Sequence, residues 1–203
     1  TYVKSSEETN ADAGDKANDA IRVDGQDLRA RCIGEGGNLG FTQLGRVEYA
    51  RLGVNGDGGR MNTDFIDNSA GVDTSDHEVN IKILLDRVVR SGEMDEGARN
   101  ELLAEMTEEV GELVLRDNYE QNLALANAEA HAPSLLHVHE DWMRALERRG
   151  VLNRDLEGLP STRQVKRRLD SGQALSAPEL SVLMAWTKIV LADELIDSDL
   201  PDD

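Results

Sequence analysis

The sequence predicts a mostly helical α/β protein, and three features lead to that prediction. Apolar residues recur at helical spacing through most of the chain after residue 75, whereas short apolar runs that stop at glycine or at Asp-Gly are confined to the first 66 residues. Two glycine-broken polar knots, residues 33–38 and 67–75, lie where an α/β sheet presents backbone amides to a ligand at the carboxyl ends of its strands. At 203 residues the chain is long enough to bury a substantial core.

Residues 1–20 lack sustained periodicity and read as loop with one helical turn. Residues 21–23 read as a short strand before the Asp24-Gly25 turn, and residues 28–33 as a second strand, with Cys32 inside it and Gly34 as its stop. Over residues 42–52, Leu44, Val47 and Leu52 fit one face of a short helix, which Gly53 and the glycine-rich loop to Gly59 end. Residues 61–66 read as extended. Ser75 with Glu78 three residues on predicts a capping box, and Ile81, Leu84, Leu85 and Val88 follow at helical spacing to Gly92. Val79, Ile83 and Val89 widen that stripe and predict a helix buried over much of its circumference.

Between Asp95 and Ala130, Leu103, Met106, Val110 and Leu113 form a narrow seam. Asp117 and Glu120 fall where the seam would continue, which predicts a break or rotation near residues 116–118. Residues 134–149 form a further predicted helix, with Leu135, Val138, Trp142 and Leu146 on one face and Gly150 as its stop. Two capping boxes, Ser161 with Gln164 and Ser176 with Glu179, start the last two helices, and Pro178 suits a first turn because its missing amide hydrogen costs nothing there.

Charge narrows the function classes. Lys plus Arg number 22 against 40 for Asp plus Glu, a net charge of −18, of which residues 1–92 carry −5 and residues 93–203 carry −13. A surface this negative repels phosphate backbones, so no nucleic acid partner is expected. No apolar stretch is long enough to span a bilayer, so no membrane partner is expected either. The single cysteine forms no intrachain disulfide and fits a reducing cytoplasm. Thr1 is not an initiator Met, and the expectation is a piece of a longer protein.

In the first knot, Gly34, Gly36 and Gly37 let backbone approach a ligand without Cβ interference, although the dinucleotide fingerprint G-x-G-x-x-G is absent. Asn38 and Asn68 carry the donor and acceptor set that complements a carboxamide, or else each simply closes a turn on its own backbone. Ser75, read as an N-cap, keeps a hydroxyl proton to donate to a carboxylate. His131, His137 and His139 lack the spacing of three or four that a helical metal pair needs, so no metal site is expected, and Trp142 and Trp186 read as core anchors.

The segment Ile33-Gly34-Glu35-Gly36-Gly37-Asn38 resembles the E-G-A-N element of glutamate dehydrogenases, and Asn68-Ser69-Ala70-Gly71-Val72-Asp73-Thr74-Ser75 resembles their N-A-G-G-V-x-x-S element, in the same order and at similar separation. The likeness is strongest to the large NAD-specific bacterial enzymes. It includes Asp76-His77-Glu78-Val79-Asn80 and residues 175–189, and extends from Tyr2-Val3-Lys4 to Leu200-Pro201-Asp202-Asp203. Ala70 and Asp73 depart from the small-subunit pattern, and residues 53–59 look like an insertion.

The resemblance implies that residues 1–92 are the distal half of a Rossmann-type NAD-binding domain and residues 93–203 an acidic C-terminal helical region. It implies NAD as cofactor, L-glutamate and 2-oxoglutarate as the parent enzyme's substrates, and a homo-oligomer. By the same resemblance Gly36, Gly37 and Asn38 line the cofactor cleft, Asn68 contacts the nicotinamide carboxamide and Ser75 touches the substrate carboxylate. The family's catalytic Lys and Asp and its phosphate loop would precede Thr1, so the piece alone is expected to be inactive. The competing expectation is a helical assembly module whose apolar stripes dock on a partner or on a second copy.

Overall fold

In a computed structural model, which describes residues 1–200, helices dominate and regular strands are confined to a two-stranded parallel ladder. Strand β1 (Val3–Lys4) pairs with β2 (Val23–Asp24), Val3 opposite Val23 and Lys4 opposite Asp24. Val3 also bridges Phe41 in parallel, and Cys32 bridges Arg60 in parallel.

The strand expected over residues 28–33 shrinks to that one bridge at Cys32, and Cys32 is exposed rather than buried. Only Leu28 and Ile33 of this run reach the neighbouring core, and its polar members Arg29 and Arg31 face water. Two backbone hydrogen bonds make the bridge, Ile33 N–H to Arg60 O at 3.0 Å and Arg60 N–H to Arg31 O at 2.9 Å, and Val54 N–H donates to Leu28 O at 2.7 Å. Residues 61–66 do not stay extended either: the Thr63 carbonyl accepts from Ile66 and Asp67 and starts the short helix α2 (Asp64–Asp67). Helix α1 (Gln43–Leu52) forms as its apolar spacing predicts, with the Thr42 hydroxyl accepting from the Gly45 amide at its N-terminus.

Helix α3 (Ser69–Ser91) is followed by α4 (Glu96–Arg148), α5 (Thr162–Ser171) and α6 (Ala177–Ile196). The capping boxes at Ser161 and Ser176 are present, with Pro178 in the first turn of α6. The chain separates into two compact units, one built from Thr1–Asp67 together with the chain from Ala124 onward, the other from Asn68–Leu123.

The first unit holds two apolar clusters. In the larger, Leu136, Met143 and Leu146 of α4 meet Val165 of α5 and Leu180, Leu183 and Val190 of α6, with Trp142 and Trp186 packed against its edge. In the smaller, Val3, Phe41, Tyr49, Val54 and Met61 close around the Tyr49 ring, whose hydroxyl donates to the Ala30 carbonyl at 2.7 Å. Gly59 passes so near that ring that a Cβ there would lie 2.0 Å from Tyr49 Cζ, which excludes any side chain at this position. Buried carboxylates tie the elements together. Glu48 accepts from the Ser5 hydroxyl and from both the amide and hydroxyl of Ser6, and Glu179 pairs with Arg51 of α1 and Arg168 of α5. Glu140 pairs with Arg154 at 2.7 Å and accepts from the Thr162 hydroxyl.

In the second unit, α3 runs to Gly92, whose left-handed conformation (φ +80°) ends the helix as the glycine predicts. The Asp95 carboxylate accepts from the Ala98 amide to start α4, and Arg99 reaches back to Asp86 at 2.8 Å. Leu85 is the one buried residue of α3, while Val79, Ile83 and Leu84 are exposed, contrary to the expectation of a helix buried on most sides.

Helix α4 is continuous over 53 residues, with no break at residues 116–118 and no separate start at Ser134. Asp117 and Glu120, which fall where the seam would continue, are both exposed, so their carboxylates stay in water and do not end the helix. Asn118 donates to the Val114 carbonyl and accepts from the Ser69 hydroxyl at 2.7 Å, and Gln121 donates to that same hydroxyl at 2.8 Å. Pro133 sits inside the helix and supplies no amide for the carbonyl four residues earlier.

Candidate functional site

The first knot is a turn in which the Asn38 amide donates to the Gly34 carbonyl at 3.0 Å, and Gly36 takes a φ of +77°. Gly36 and Gly37 are exposed, and open space surrounds the position a Cβ would occupy at Gly36. Asn38 itself is fully buried. Arg46, one turn into α1, clamps its backbone carbonyl through Nη2 at 2.9 Å and Nε at 3.3 Å.

The Asn38 side chain donates through Nδ2 to Asp67 Oδ2 at 2.7 Å, and Asn62 Nδ2 donates to Asp67 Oδ1 at 2.9 Å. The first knot is therefore joined directly to the first residue of the second. Burial raises the Asp67 carboxyl above its ordinary range and the nearby Asp64 adds to this, while hydrogen bonds from Asn62 and Asn38 and the charge of Arg46 work against it. Burial likewise lowers the Arg46 guanidinium, opposed by Asp64 and Asp67. Among the described residues nothing donates to Asn38 Oδ1, a buried acceptor.

In the second unit, Asn68 is the N-cap of α3, and its own side chain makes no capping hydrogen bond. That side chain lies over Gly71, where a Cβ would come within 2.8 Å of Asn68 Oδ1. Glycine at this position leaves the amide room to keep its orientation.

Ser75 is not an N-cap. Helix α3 starts six residues earlier, at Ser69, so Ser75 is an exposed residue of its interior whose hydroxyl donates to the Val72 carbonyl at 2.7 Å. The second knot is helix rather than loop, because Asn68 begins the helix and the Ser69 hydroxyl is held by Asn118 and Gln121. Ser75 stands seven residues, about two turns or ~10 Å, beyond Asn68 on the same face. Its hydroxyl keeps two lone pairs that can accept, and it can turn to donate to a ligand carboxylate in place of the Val72 carbonyl.

Sequence reasoning missed Arg46, Asn62, Asp64 and the role of Asp67. Their signal was weak: one of two Arg residues in α1 and an Asn-Thr-Asp run before an apolar pair. His131 and His137 are exposed and His139 is half-buried, and among the described residues no three His, Cys, Asp or Glu side chains gather as a metal site.

Residues 1–128 match the model of the bacterial NAD-glutamate dehydrogenase catalytic domain, and residues 172–203 match that of the glutamate dehydrogenase C-terminal region. The whole chain is 54% identical to an NAD-specific glutamate dehydrogenase of Halomonas elongata, 55% to one of Pseudomonas aeruginosa and 50% to one of Mycobacterium tuberculosis. It spans 12% of the length of each of these relatives. With both knots inside the matched region, the chain belongs to the bacterial NAD-glutamate dehydrogenase catalytic-domain family.

Proposed function

We propose that this chain is a segment of an NAD-dependent glutamate dehydrogenase that interconverts L-glutamate with 2-oxoglutarate and ammonia. In this reading residues 1–92 are the distal half of a Rossmann-type domain and residues 93–203 an acidic helical region without chemistry of its own. Every backbone bridge among the described residues is parallel, which supports a remnant of a parallel sheet. The observation that carries the reading is whole-chain identity of 50 to 55% to three NAD-specific glutamate dehydrogenases.

The residues present fit a nicotinamide coenzyme. Gly36 and Gly37 offer exposed backbone, with open space at Gly36, and Asn38 offers a buried acceptor with no donor among the described residues. NAD, when bound, would supply the hydride acceptor for the substrate carbon. Gly36, Gly37 and Asn38 would line its cleft, Asn68 would orient the ring by hydrogen bonding the carboxamide, and the Ser75 hydroxyl would donate a hydrogen bond to the substrate carboxylate. Fixing the ring in one orientation lowers the barrier by holding donor and acceptor carbons in line. This reading makes the protein a cytoplasmic homo-oligomer.

A second reading, a helical assembly module, draws support from Val72, Val79, Ile83 and Leu84, which α3 leaves exposed. Light scattering across concentration separates a self-associating segment from a monomer. The test of the main reading is Asn68→Ala in the full-length enzyme. Its coenzyme dissociation constant should rise about tenfold, the loss of one well-placed hydrogen bond. Unchanged coenzyme affinity removes Asn68 from the site.

A further inference from the structure

We propose that Asp67 is a positioning residue that locks the Asn38 amide in one of its two orientations, with Oδ1 presented to a hydrogen-bond donor of the coenzyme. The inference rests on the reading of Asn38 as part of the cofactor cleft. An Asn side chain is nearly symmetric in shape, and which end faces which neighbour is set by hydrogen-bond chemistry alone. A carboxylate only accepts, so the Asn38 N–H2 must face Asp67, as the 2.7 Å contact has it. Asp67 cannot swing away, because Asn62 holds its second oxygen at 2.9 Å and its own amide donates to the Thr63 carbonyl at 3.1 Å. The Asn38 backbone is held as well, by Arg46 on its carbonyl and by Gly34 on its amide.

Only Oδ1 is left over. It is buried on a side chain with no exposed surface, and no donor among the described residues reaches it. A buried acceptor left unmade is costly, and a ligand donor removes that cost on binding. On the nicotinamide half of the coenzyme two groups have the required chemistry, the carboxamide N–H2 and a ribose hydroxyl.

Replacing Asp67 with Asn reverses the selection. The introduced amide still accepts from Asn62 through its oxygen, which turns its N–H2 toward Asn38. Asn38 then rotates to accept from that group and presents N–H2, a donor, where the acceptor stood. Combining Asn38→Asp with Asp67→Asn restores both links and again leaves an oxygen outward.

The experiment measures coenzyme dissociation constants, kcat and thermal melting of the full-length dehydrogenase carrying Asn38→Ala, Asp67→Asn or the double exchange. NAD is compared with its 3-acetylpyridine analogue, which lacks the amide N–H2. Asp67→Asn should weaken NAD about tenfold with a smaller change in kcat, and the double exchange should recover most of that loss. A penalty that vanishes with the analogue assigns the donor to the carboxamide, and a penalty that persists assigns it to the ribose. Should Asp67→Asn melt at a much lower temperature, the double exchange decides, because both hydrogen bonds are rebuilt in it. If Asn38→Ala weakens the coenzyme but Asp67→Asn does not, or if the double exchange fails to recover, positioning by Asp67 is overturned. If Asn38→Ala leaves affinity unchanged, the cofactor reading of Asn38 falls instead.

Discussion

Replacing Gly71 with Ala should strengthen α3 while weakening coenzyme binding, and that opposition makes it diagnostic. Position 71 lies in the first turn of α3, where Ala is favoured over Gly by up to ~1 kcal/mol. The new Cβ would meet only one outside group, Asn68 Oδ1 at 2.8 Å, the far end of a flexible side chain that can rotate away at little cost. Stability should therefore hold or rise by ~0.5 kcal/mol once that rotation is subtracted. The rotated amide no longer points where the carboxamide is proposed to sit, so one hydrogen bond worth about 1 kcal/mol is lost, roughly a fivefold rise in the coenzyme dissociation constant. Titration of the full-length enzyme with NADH, followed by nucleotide fluorescence and paired with thermal melting, reads both quantities. A variant that melts no lower yet binds NADH as tightly as the wild type would refute the reasoning, since Asn68 would then be free to rotate without consequence.

Three further outcomes follow from the packing and charges. Gly59→Ala should destabilise the first unit by about 3 kcal/mol or more, because its Cβ would lie 2.0 Å from Tyr49 Cζ on a ring with no exposed surface, and thermal melting checks this. Glu140→Gln should cost about 3 kcal/mol by leaving the buried Arg154 short of a charge partner. Burial pushes the Glu140 carboxyl up, but hydrogen bonds from Arg154 and Thr162, the Arg154 charge and Arg144 bring it below its ordinary value. With the folded-state value depressed, its stabilisation is complete above the ordinary Glu range and is lost as pH falls through the lower folded value. Melting temperature against pH should therefore fall less steeply on the acid side in Glu140→Gln than in the wild type. Ser75→Ala should raise the KM for glutamate several-fold while leaving coenzyme affinity within about twofold, the pattern expected when one hydroxyl contact to the carboxylate is removed.

Elements with local signals were legible. Gly92 and Gly150 end their helices in the left-handed conformation, and Ser161 and Ser176 start theirs, because caps depend on a few adjacent residues. The strand at residues 28–33 and the start of α3 at Ser69 were not legible, because each depends on a partner far along the chain. Arg60 supplies one bridge rather than a ladder, and Asn118 and Gln121 supply the hydrogen bonds that let Ser69 open a helix. The missing break in α4 follows from exposure: Asp117 and Glu120 look like an interruption in the apolar seam, but both face water, and the adjoining Asn118 is hydrogen-bonded to Ser69 and Val114. Of the candidate site, the glycines and both Asn residues stood out through their motifs, whereas Asp67 gained its role only from a contact 29 positions away.

Most depends on the proposal that Asn68 hydrogen-bonds the nicotinamide carboxamide. A structure of the full-length enzyme with NADH tests it directly. The account predicts the carboxamide within about 3 Å of the Asn68 side chain, with Gly36, Gly37 and Asn38 against the coenzyme. A nicotinamide ring bound away from both corners, with Asn68 hydrogen-bonded only to protein, would contradict it.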